Sequence, residues 1–391
     1  MHGVLDARPG LFRRTVLIGA LSALPLIASA QTPPPPASTT QPATQPAAKP
    51  ATKPNAKPNA KPMAKPAAKP MAKPNAQQAA VLEELGKLGG KPIETLTPVE
   101  ARKQPSPADA VKALLTRQGK PTTPEAVGKV EDRTFQGPGG SLPLRIYTPV
   151  GKGPFPVVLY LHGGGWVIAD LDTYDASPRA LANAAGAVVV SAHYRQAPEH
   201  KFPAAHEDAM AAYQWVLENA AGIDGDPKRV AVVGESAGGN LAANVAIMAR
   251  DKGLTQPLRQ VLVYPVADDD MNSPSYLENA KAKPLNKPMM QWFAQHYFAS
   301  MQQAADPRIS LVDQPNLKGV APATIITAQI DPLRSDGEKY AAALKKAGVA
   351  VNHVNYDGVA HEFFGMGAVI DKAKAAQKVA GDDLKKSFSG K

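Results

Sequence analysis

The chain has 391 residues, 44% of them hydrophobic, which is enough for one large or two modest hydrophobic cores. It contains no cysteine, which excludes disulfides, thiolate nucleophiles and cysteine-ligated metal sites. The net charge of +10 is concentrated at one end, because residues 1–80 hold ten basic side chains and one acidic side chain. The remainder is close to neutral, which argues against a nucleic-acid-binding function.

The first 30 residues have the features of an export signal. Arg13 and Arg14 precede an apolar run from residue 16 to about residue 28, and small residues favour cleavage after Ala30. The run is short for a membrane span, so we expect a periplasmic or secreted protein with no transmembrane segment in its mature form. The paired arginines resemble a twin-arginine signal. An ordinary secretory signal and an uncleaved anchor are the alternatives.

Residues 31–79 are predicted to be a low-complexity linker rich in Pro, Ala and Lys. They include a tract in which Lys-Pro recurs every four residues, KPNAKPNAKPMAKPAAKPMAKPNA. Proline at this density blocks helices and sheet ladders, and few of the side chains are large enough to dock on a core. The linker is therefore expected to be an extended spacer. It is either passive or a cationic tether that makes weak contact with an anionic envelope polymer.

From about residue 80 to residue 391 the composition is that of a folded domain. Two helical segments lie between residues 80 and 118, and three strand-like runs lie between residues 130 and 161. Apolar strands and amphipathic helices then alternate, interrupted by an irregular insertion at about 268–305. This alternation predicts an α/β fold with a mostly parallel central sheet flanked by helices, and with the first strands antiparallel at one edge.

A serine surrounded by glycines lies at one of the strand-to-helix junctions. The run VAVVGESAGGN occupies residues 230–240 and places Ser236 between an apolar strand and a helix. Gly234 and Gly238 relieve the crowding of a sharp turn, the nucleophile elbow, which exposes the serine hydroxyl at the carboxyl end of the sheet. Ser236 is the candidate nucleophile. The alternative is an idle serine in a glycine-rich turn.

A nucleophilic serine needs a histidine base and an acid that orients it. Three histidines follow Ser236, and His361 is favoured because it lies in a loop after a strand. His353 lies inside that strand, and His296 lies in an amphipathic stretch of the insertion. Asp331 closes the preceding strand and is the predicted acid.

The glycine run HGGGW, which follows the third strand, is the candidate oxyanion-binding loop. The predicted donors are the backbone N–H groups of Gly163, Gly164 and Gly165, together with that of Ala237. His162 is expected to brace this loop. Large aromatic side chains near the motifs are candidates for lining a substrate pocket, with core packing as the alternative: Trp166, Phe202, Trp292, Phe293 and Phe363.

The chain resembles the bacterial hormone-sensitive-lipase-like carboxylesterases from about residue 80 to the C-terminus. The resemblance is carried by five motifs in this order: HGGGW, YRQAPEHKFPAAHED, GESAGGNLAA, DPLRSDGE and GVAHEFF. The resemblance implies an α/β-hydrolase fold with a helical cap built from about 81–128 and 268–305. It also implies hydrolysis of short-acyl esters of small molecules, without cofactor or metal. Arg195 and Glu199 would then be structural ion-pair partners. The sequence departs from the family pattern at three positions. Glu235 stands where Asp is usual, Ser335 where an acid is usual, and Glu362 where Gly is usual.

Two other functions share these features in part. A deacetylase or amide-cleaving serine hydrolase, acting on cell-surface or small acylated substrates, would use the same acyl-transfer chemistry. A non-catalytic tethered binding protein on a hydrolase scaffold would not need the complete set of Ser236, Asp331, His361 and the glycine loop.

Overall fold

A computed structural model describes residues 69–390 of the chain. The predicted signal peptide and most of the predicted linker lie outside the described residues. Within the described part, none of the helices combines the length and the apolar character needed to cross a membrane.

A single eight-stranded sheet forms the centre of the described chain. Its strands are β1 (Lys129–Gly137), β2 (Gly140–Thr148), β3 (Phe155–Leu161), β4 (Val188–Ala192), β5 (Gly225–Glu235), β6 (Gln260–Val263), β7 (Ala323–Ile330) and β8 (Val351–Ala360). They are ordered β1-β2-β4-β3-β5-β6-β7-β8 across the sheet. The β1–β2 and β2–β4 pairs are antiparallel and all other pairs are parallel. The prediction of a mostly parallel sheet with an antiparallel edge is confirmed.

Ten α-helices accompany the sheet in the described residues: α1 (Ala76–Lys87), α2 (Pro98–Ala101), α3 (Pro107–Arg117), α4 (Ala176–Ala185), α5 (Ala204–Asn219), α6 (Ala237–Asp251), α7 (Pro274–Glu278), α8 (Lys287–Tyr297), α9 (Arg334–Lys346) and α10 (Asp371–Phe388). Alternate residues of β3 join two different hydrophobic clusters, one on each face of the sheet. Helices α5, α6 and α9 contribute to the first cluster, and α1, α3, α4 and α10 contribute to the second. Because both faces are covered, β3 is apolar throughout rather than alternating.

The two segments expected to form a cap meet only in part. Trp292 of α8 donates from Nε1 to the carbonyl of Leu96 at 2.9 Å, and Asn286 donates to Glu94 at 3.3 Å. Residues just before α2 therefore adjoin the insertion. Helices α1 and α3 instead pack into the cluster on the other face of the sheet, so the N-terminal segment is divided between the two faces.

The folded part starts before the predicted boundary at residue 80. Helix α1 begins at Ala76, and the Asn75 side chain caps it by accepting the N–H of Gln78 at 2.8 Å. Gln78 is fully buried, and its Oε1 accepts the N–H of Ala360 at 3.2 Å, one residue before His361. The last residues of the predicted linker therefore belong to the domain and support the end of β8.

Two truncations are expected to separate the linker from the domain. Removal of residues 1–68 should leave the melting temperature unchanged, because the contacts of Asn75 and Gln78 are kept. Removal of residues 1–79 should lower it by about 3 °C, since a helix cap and a buried hydrogen bond together contribute roughly 2 kcal/mol. Thermal unfolding of the two proteins, monitored by circular dichroism, checks this. Equal melting temperatures would show that the contacts before residue 80 do not stabilise the domain.

Candidate active site

Ser236 lies at the turn between β5 and α6 in a strained backbone conformation, with φ 56° and ψ −119°. A Cβ atom at Gly234 would lie 2.0 Å from the carbonyl oxygen of Gly238, and one at Gly238 would lie 2.0 Å from that of Leu161. Both positions therefore require glycine. The strain and the close approach of the strand and helix are those of a nucleophile elbow, which presents a side chain at the carboxyl end of the sheet.

The structure brings the three predicted triad residues together. His361 Nε2 lies 3.0 Å from Ser236 Oγ, and His361 Nδ1 lies 2.7 Å from Asp331 Oδ2. The other carboxylate oxygen of Asp331 accepts the N–H of Leu333 at 2.8 Å, which fixes the acid in place. Ser236, His361 and Asp331 are 6%, 3% and 0% exposed, so the imidazole connects the hydroxyl to a carboxylate in a shielded setting.

The other two histidines that follow Ser236 are held elsewhere. His353 Nε2 lies 3.0 Å from Thr327 Oγ1, between β7 and β8. His296 packs against the edge of the Trp292 ring, with 4.5 Å between ring centroids. Within residues 69–390, no group of three or more His, Asp or Glu side chains is arranged to hold a metal ion.

Several carboxylates set the charge state of His361. Burial by itself lowers the pKa of His361, but Asp331, Glu362 and Glu235 together outweigh burial and raise this pKa above its ordinary value of 6.5. The protonated imidazole is therefore favoured. This is the form that a general base reaches after it accepts a proton.

The raised pKa of His361 predicts the acid limb of the pH–rate profile. Only neutral His361 can accept the Ser236 proton, so kcat/KM should fall as the pH drops through the pKa of the free enzyme. The midpoint is expected above pH 6.5, because the pKa is raised from that value. Initial rates with a soluble ester between pH 5 and 9 give this midpoint. A value clearly below 6.5 would mean that burial dominates over the neighbouring carboxylates.

The turn after Asp331 is supported although Ser335 replaces the usual acid. The N–H of Ser335 donates to Ser275 Oγ at 2.9 Å, and the N–H of Ser275 donates to Ser335 Oγ at 3.2 Å. Asn279 donates to the carbonyl of Asp331 at 3.2 Å. The insertion between β6 and β7 thus provides the contacts that hold the acid.

The glycine loop after β3 is tightly folded. The Gly163 carbonyl lies 2.8 Å from His162 Nδ1 and accepts from Tyr194 Oη at 3.1 Å. Gly164 has φ 100°, and a Cβ there would lie 2.1 Å from the carbonyl oxygen of Ile168, so only glycine fits. Among the described residues, the N–H groups of Gly163, Gly164 and Gly165 donate to no protein acceptor, which leaves them able to donate to a substrate oxygen.

His162 has the bracing role that its position predicts. A carbonyl can only accept, so Nδ1 carries the proton, and Nε2 accepts from His193 Nδ1 at 3.0 Å. Burial, and then His193, lower the pKa of His162 to about 3. His162 is therefore neutral at physiological pH and fixes the loop.

The loop and the elbow lie side by side at one edge of the sheet. Leu161 is in register with Gly234 in the parallel β3–β5 pair, so the segments that follow these residues are neighbours. Ala237 is the first residue of α6, where backbone N–H groups have no acceptor within the helix. The predicted donors of Gly163, Gly164, Gly165 and Ala237 are thus grouped beside Ser236.

The aromatic residues predicted to line the pocket are mostly core residues. Phe363 is fully buried and packs against Tyr264 and Tyr356. Three others are at most 7% exposed and belong to the cluster on the opposite face: Trp166, Phe202 and Trp292. The Phe293 ring lies against the loop, because a Cβ at Gly165 would lie 2.2 Å from it.

A buried group of acids and tyrosines under the site was missed in the sequence. Glu235 is 1% exposed and accepts from Tyr160 at 2.6 Å and from Tyr264 at 2.5 Å. Glu362 accepts from Tyr174 at 2.7 Å. Burial, and then the charge of Glu362, raise the pKa of Glu235 to about 7. The sequence feature that could have revealed this group is Glu235 at the end of an apolar strand, because a buried carboxylate requires hydrogen-bond donors nearby.

The ion pairs near the site are structural, although Arg195 and Glu199 do not pair with each other. Arg195 pairs with Asp208 at 2.8 Å, and Glu199 pairs with Arg102 at 2.7 Å. Arg102 also donates to the carbonyl of Val167 at 2.8 Å. It therefore ties the end of α2 to the segment that follows the glycine loop.

Comparison with known proteins gives consistent matches. A family model described as the alpha/beta hydrolase fold matches residues 158–365. Carboxylesterase NlhH of Mycobacterium tuberculosis is 40% identical over 277 residues, which is 69% of this chain and 87% of that protein. Ethyl acetate hydrolase of Pseudomonas putida is 37% identical over 298 residues, 75% of this chain and 92% of that protein. The solved structure of an esterase from Pyrobaculum calidifontis, 37% identical, superposes with a TM-score of 0.71 and covers 81% of this chain and 99% of the other.

Proposed function

The chain belongs to the hormone-sensitive-lipase-like carboxylesterases of the α/β-hydrolase fold, and we propose that it hydrolyses short-acyl esters of small molecules through an acyl-enzyme on Ser236. The observation that carries the proposal is the position of His361, 3.0 Å from Ser236 Oγ and 2.7 Å from Asp331. Ester cleavage follows from the family. The covalent route follows from this contact between a base and a hydroxyl.

In the proposed mechanism His361 accepts the Ser236 proton as Oγ attacks the ester carbonyl. The glycine loop and the Ala237 N–H donate to the oxyanion that forms. Asp331 holds the Nδ1–H tautomer and stabilises the charged imidazole. His361 then protonates the leaving alcohol, and water attacks the remaining acyl group with the same histidine as base.

Covalent labelling tests the nucleophile directly. A serine-directed fluorophosphonate should modify the full chain once, and peptide mass spectrometry should place the label on Ser236. The Ser236→Ala variant should remain unlabelled. A label on another serine, or equal labelling of both proteins, would refute the assignment.

Acyl chains of about two to eight carbons are expected to be preferred over long ones. The Phe293 ring lies directly against Gly165, so it occupies space beside the loop where a long chain would pass. Relative kcat/KM for p-nitrophenyl esters from acetate to palmitate measures this. Phe293→Ala removes the ring and should shift the optimum to longer chains. Faster turnover of palmitoyl than of butyryl esters by the wild type would contradict the expectation.

A further inference from the structure

Glu362 directly follows His361 and has a backbone conformation that glycine adopts more easily. Its φ and ψ are 70° and 2°, in the left-handed region that disfavours residues with a Cβ. Strained residues persist only where their surroundings hold them, and they cluster at functional sites. The retention of a glutamate at this position therefore suggests a function for its carboxylate.

The Glu362 carboxylate lies between the glycine loop and His361. Its Oε1 accepts from Tyr174 Oη at 2.7 Å, and a Cβ at Gly163 would lie 2.2 Å from that hydroxyl. Within residues 69–390, Tyr174 is the only hydrogen-bond donor to the Glu362 side chain, which is 21% exposed. The carboxylate is thus anchored at one oxygen and still has lone pairs able to accept from a solvent molecule.

Glu235 offers a comparison within the same buried group. Both of its carboxylate oxygens accept from tyrosines, Tyr160 and Tyr264, and the residue is 1% exposed. Its contacts are those of a structural group. Of the two glutamates, only Glu362 combines an anchor with access to solvent.

The separation of Glu362 and His361 allows one water molecule, placed beside the line that joins them, to bridge the two side chains. Glu362 Oε1 lies 3.8 Å from His361 Nε2, too far for a direct hydrogen bond, and the same Nε2 lies 3.0 Å from Ser236 Oγ. A water about 2.8 Å from both acceptors could donate one hydrogen to each, with bonds bent by roughly 10° from linear. In deacylation Nε2 is the atom that takes the proton of the attacking water.

We propose that Glu362 positions the hydrolytic water of deacylation, accepting one of its hydrogens while His361 Nε2 accepts the other. This inference rests on the proposed function, because it requires an acyl group on Ser236. The water oxygen bonds to the acyl carbon and Nε2 takes one proton. The intermediate then collapses by breaking the bond to Ser236 Oγ, which receives that proton. The second hydrogen leaves on the carboxylic acid product.

Methanol distinguishes this role from a general electrostatic one. Water has two O–H groups and methanol has one, so attack by methanol needs His361 but has no second hydrogen for Glu362. Loss of the carboxylate should slow hydrolysis while methanolysis continues. A carboxylate that only stabilised the charged imidazole would affect both reactions equally.

The experiment measures how the acyl-enzyme partitions between the two nucleophiles. The full chain reacts with p-nitrophenyl butyrate at a fixed methanol concentration above the pH midpoint, and methyl butyrate and butyrate are quantified by chromatography. In Glu362→Gln, which keeps the side-chain size, the ratio of methyl ester to acid should rise about tenfold. Glu338→Gln, the control, removes a carboxylate that is 48% exposed on α9 and should leave the ratio unchanged. An unchanged ratio in Glu362→Gln overturns the proposal.

Pre-steady-state kinetics separate this inference from the proposed function. In Glu362→Gln, kcat should fall more than kcat/KM, because kcat/KM reports acylation, and the burst of p-nitrophenol should grow as deacylation slows. A parallel fall of kcat and kcat/KM with no burst would place Glu362 in acylation and overturn the inference. A wild-type enzyme that forms neither methyl ester nor a fluorophosphonate adduct would instead refute the acyl-enzyme itself.

Discussion

Replacement of Ser236 by alanine is expected to lower kcat for ester hydrolysis by about 10⁴-fold or more without unfolding the protein. The hydroxyl is the group that His361 Nε2 contacts at 3.0 Å, and alanine provides no atom to form the acyl bond. What remains is stabilisation of the oxyanion by the loop, which accelerates only attack by free water.

Alanine keeps the Cβ of serine and takes up the same strained turn, so the fold should be unaffected. The melting temperature of Ser236→Ala should lie within about 2 °C of wild type. Initial rates with p-nitrophenyl butyrate, in a preparation free of host esterases, measure the loss of kcat. Residual activity above about one per cent of wild type would exclude Ser236 as the nucleophile.

His361→Ala is expected to lower kcat for ester hydrolysis about as much as Ser236→Ala does, whereas His353→Ala should keep most of the activity. The base and the nucleophile act as a unit, so either loss removes the same step. The double variant of Ser236 and His361 should therefore be barely worse than either single variant. His353 is a matched control, because it is a histidine of the preceding strand bonded to Thr327.

The same rate assay decides between the two histidines. An inactive His353→Ala variant together with an active His361→Ala variant would show that the base was misassigned. Additive losses in the double variant would contradict joint action of Ser236 and His361. Melting temperatures of all variants identify any loss that comes from unfolding rather than from chemistry.

The order of the strands and helices could be predicted because it depends on interactions between residues close in sequence. Continuous apolar runs separated by amphipathic helices require a sheet covered on both faces, and the structure has this arrangement. The elbow was visible for the same reason. At Gly234 the crowding arises within the turn itself, from Gly238, whereas Gly238 is crowded by Leu161 and His162 at the end of the neighbouring strand.

Other features depend on contacts between distant parts of the chain. Gln78 bonds to Ala360, 282 positions away, so the boundary at residue 80 was misplaced although the composition changes there. Phe363 follows the histidine closely, yet its side chain points into the second hydrophobic cluster. The direction of one side chain depends on which elements pack beside it, and composition does not carry that information.

The sequence by itself determined the fold class and the chemistry of the candidate nucleophile, base and acid. These depend on residue type, on local pattern and on the order of strand ends along a parallel sheet. Only the tertiary structure decided which groups surround His361. Glu362 Oε1 lies 3.8 Å from Nε2 because Tyr174 anchors it from 188 positions earlier in the chain. The position of a buried charge depends on where its donors lie, and packing places those donors.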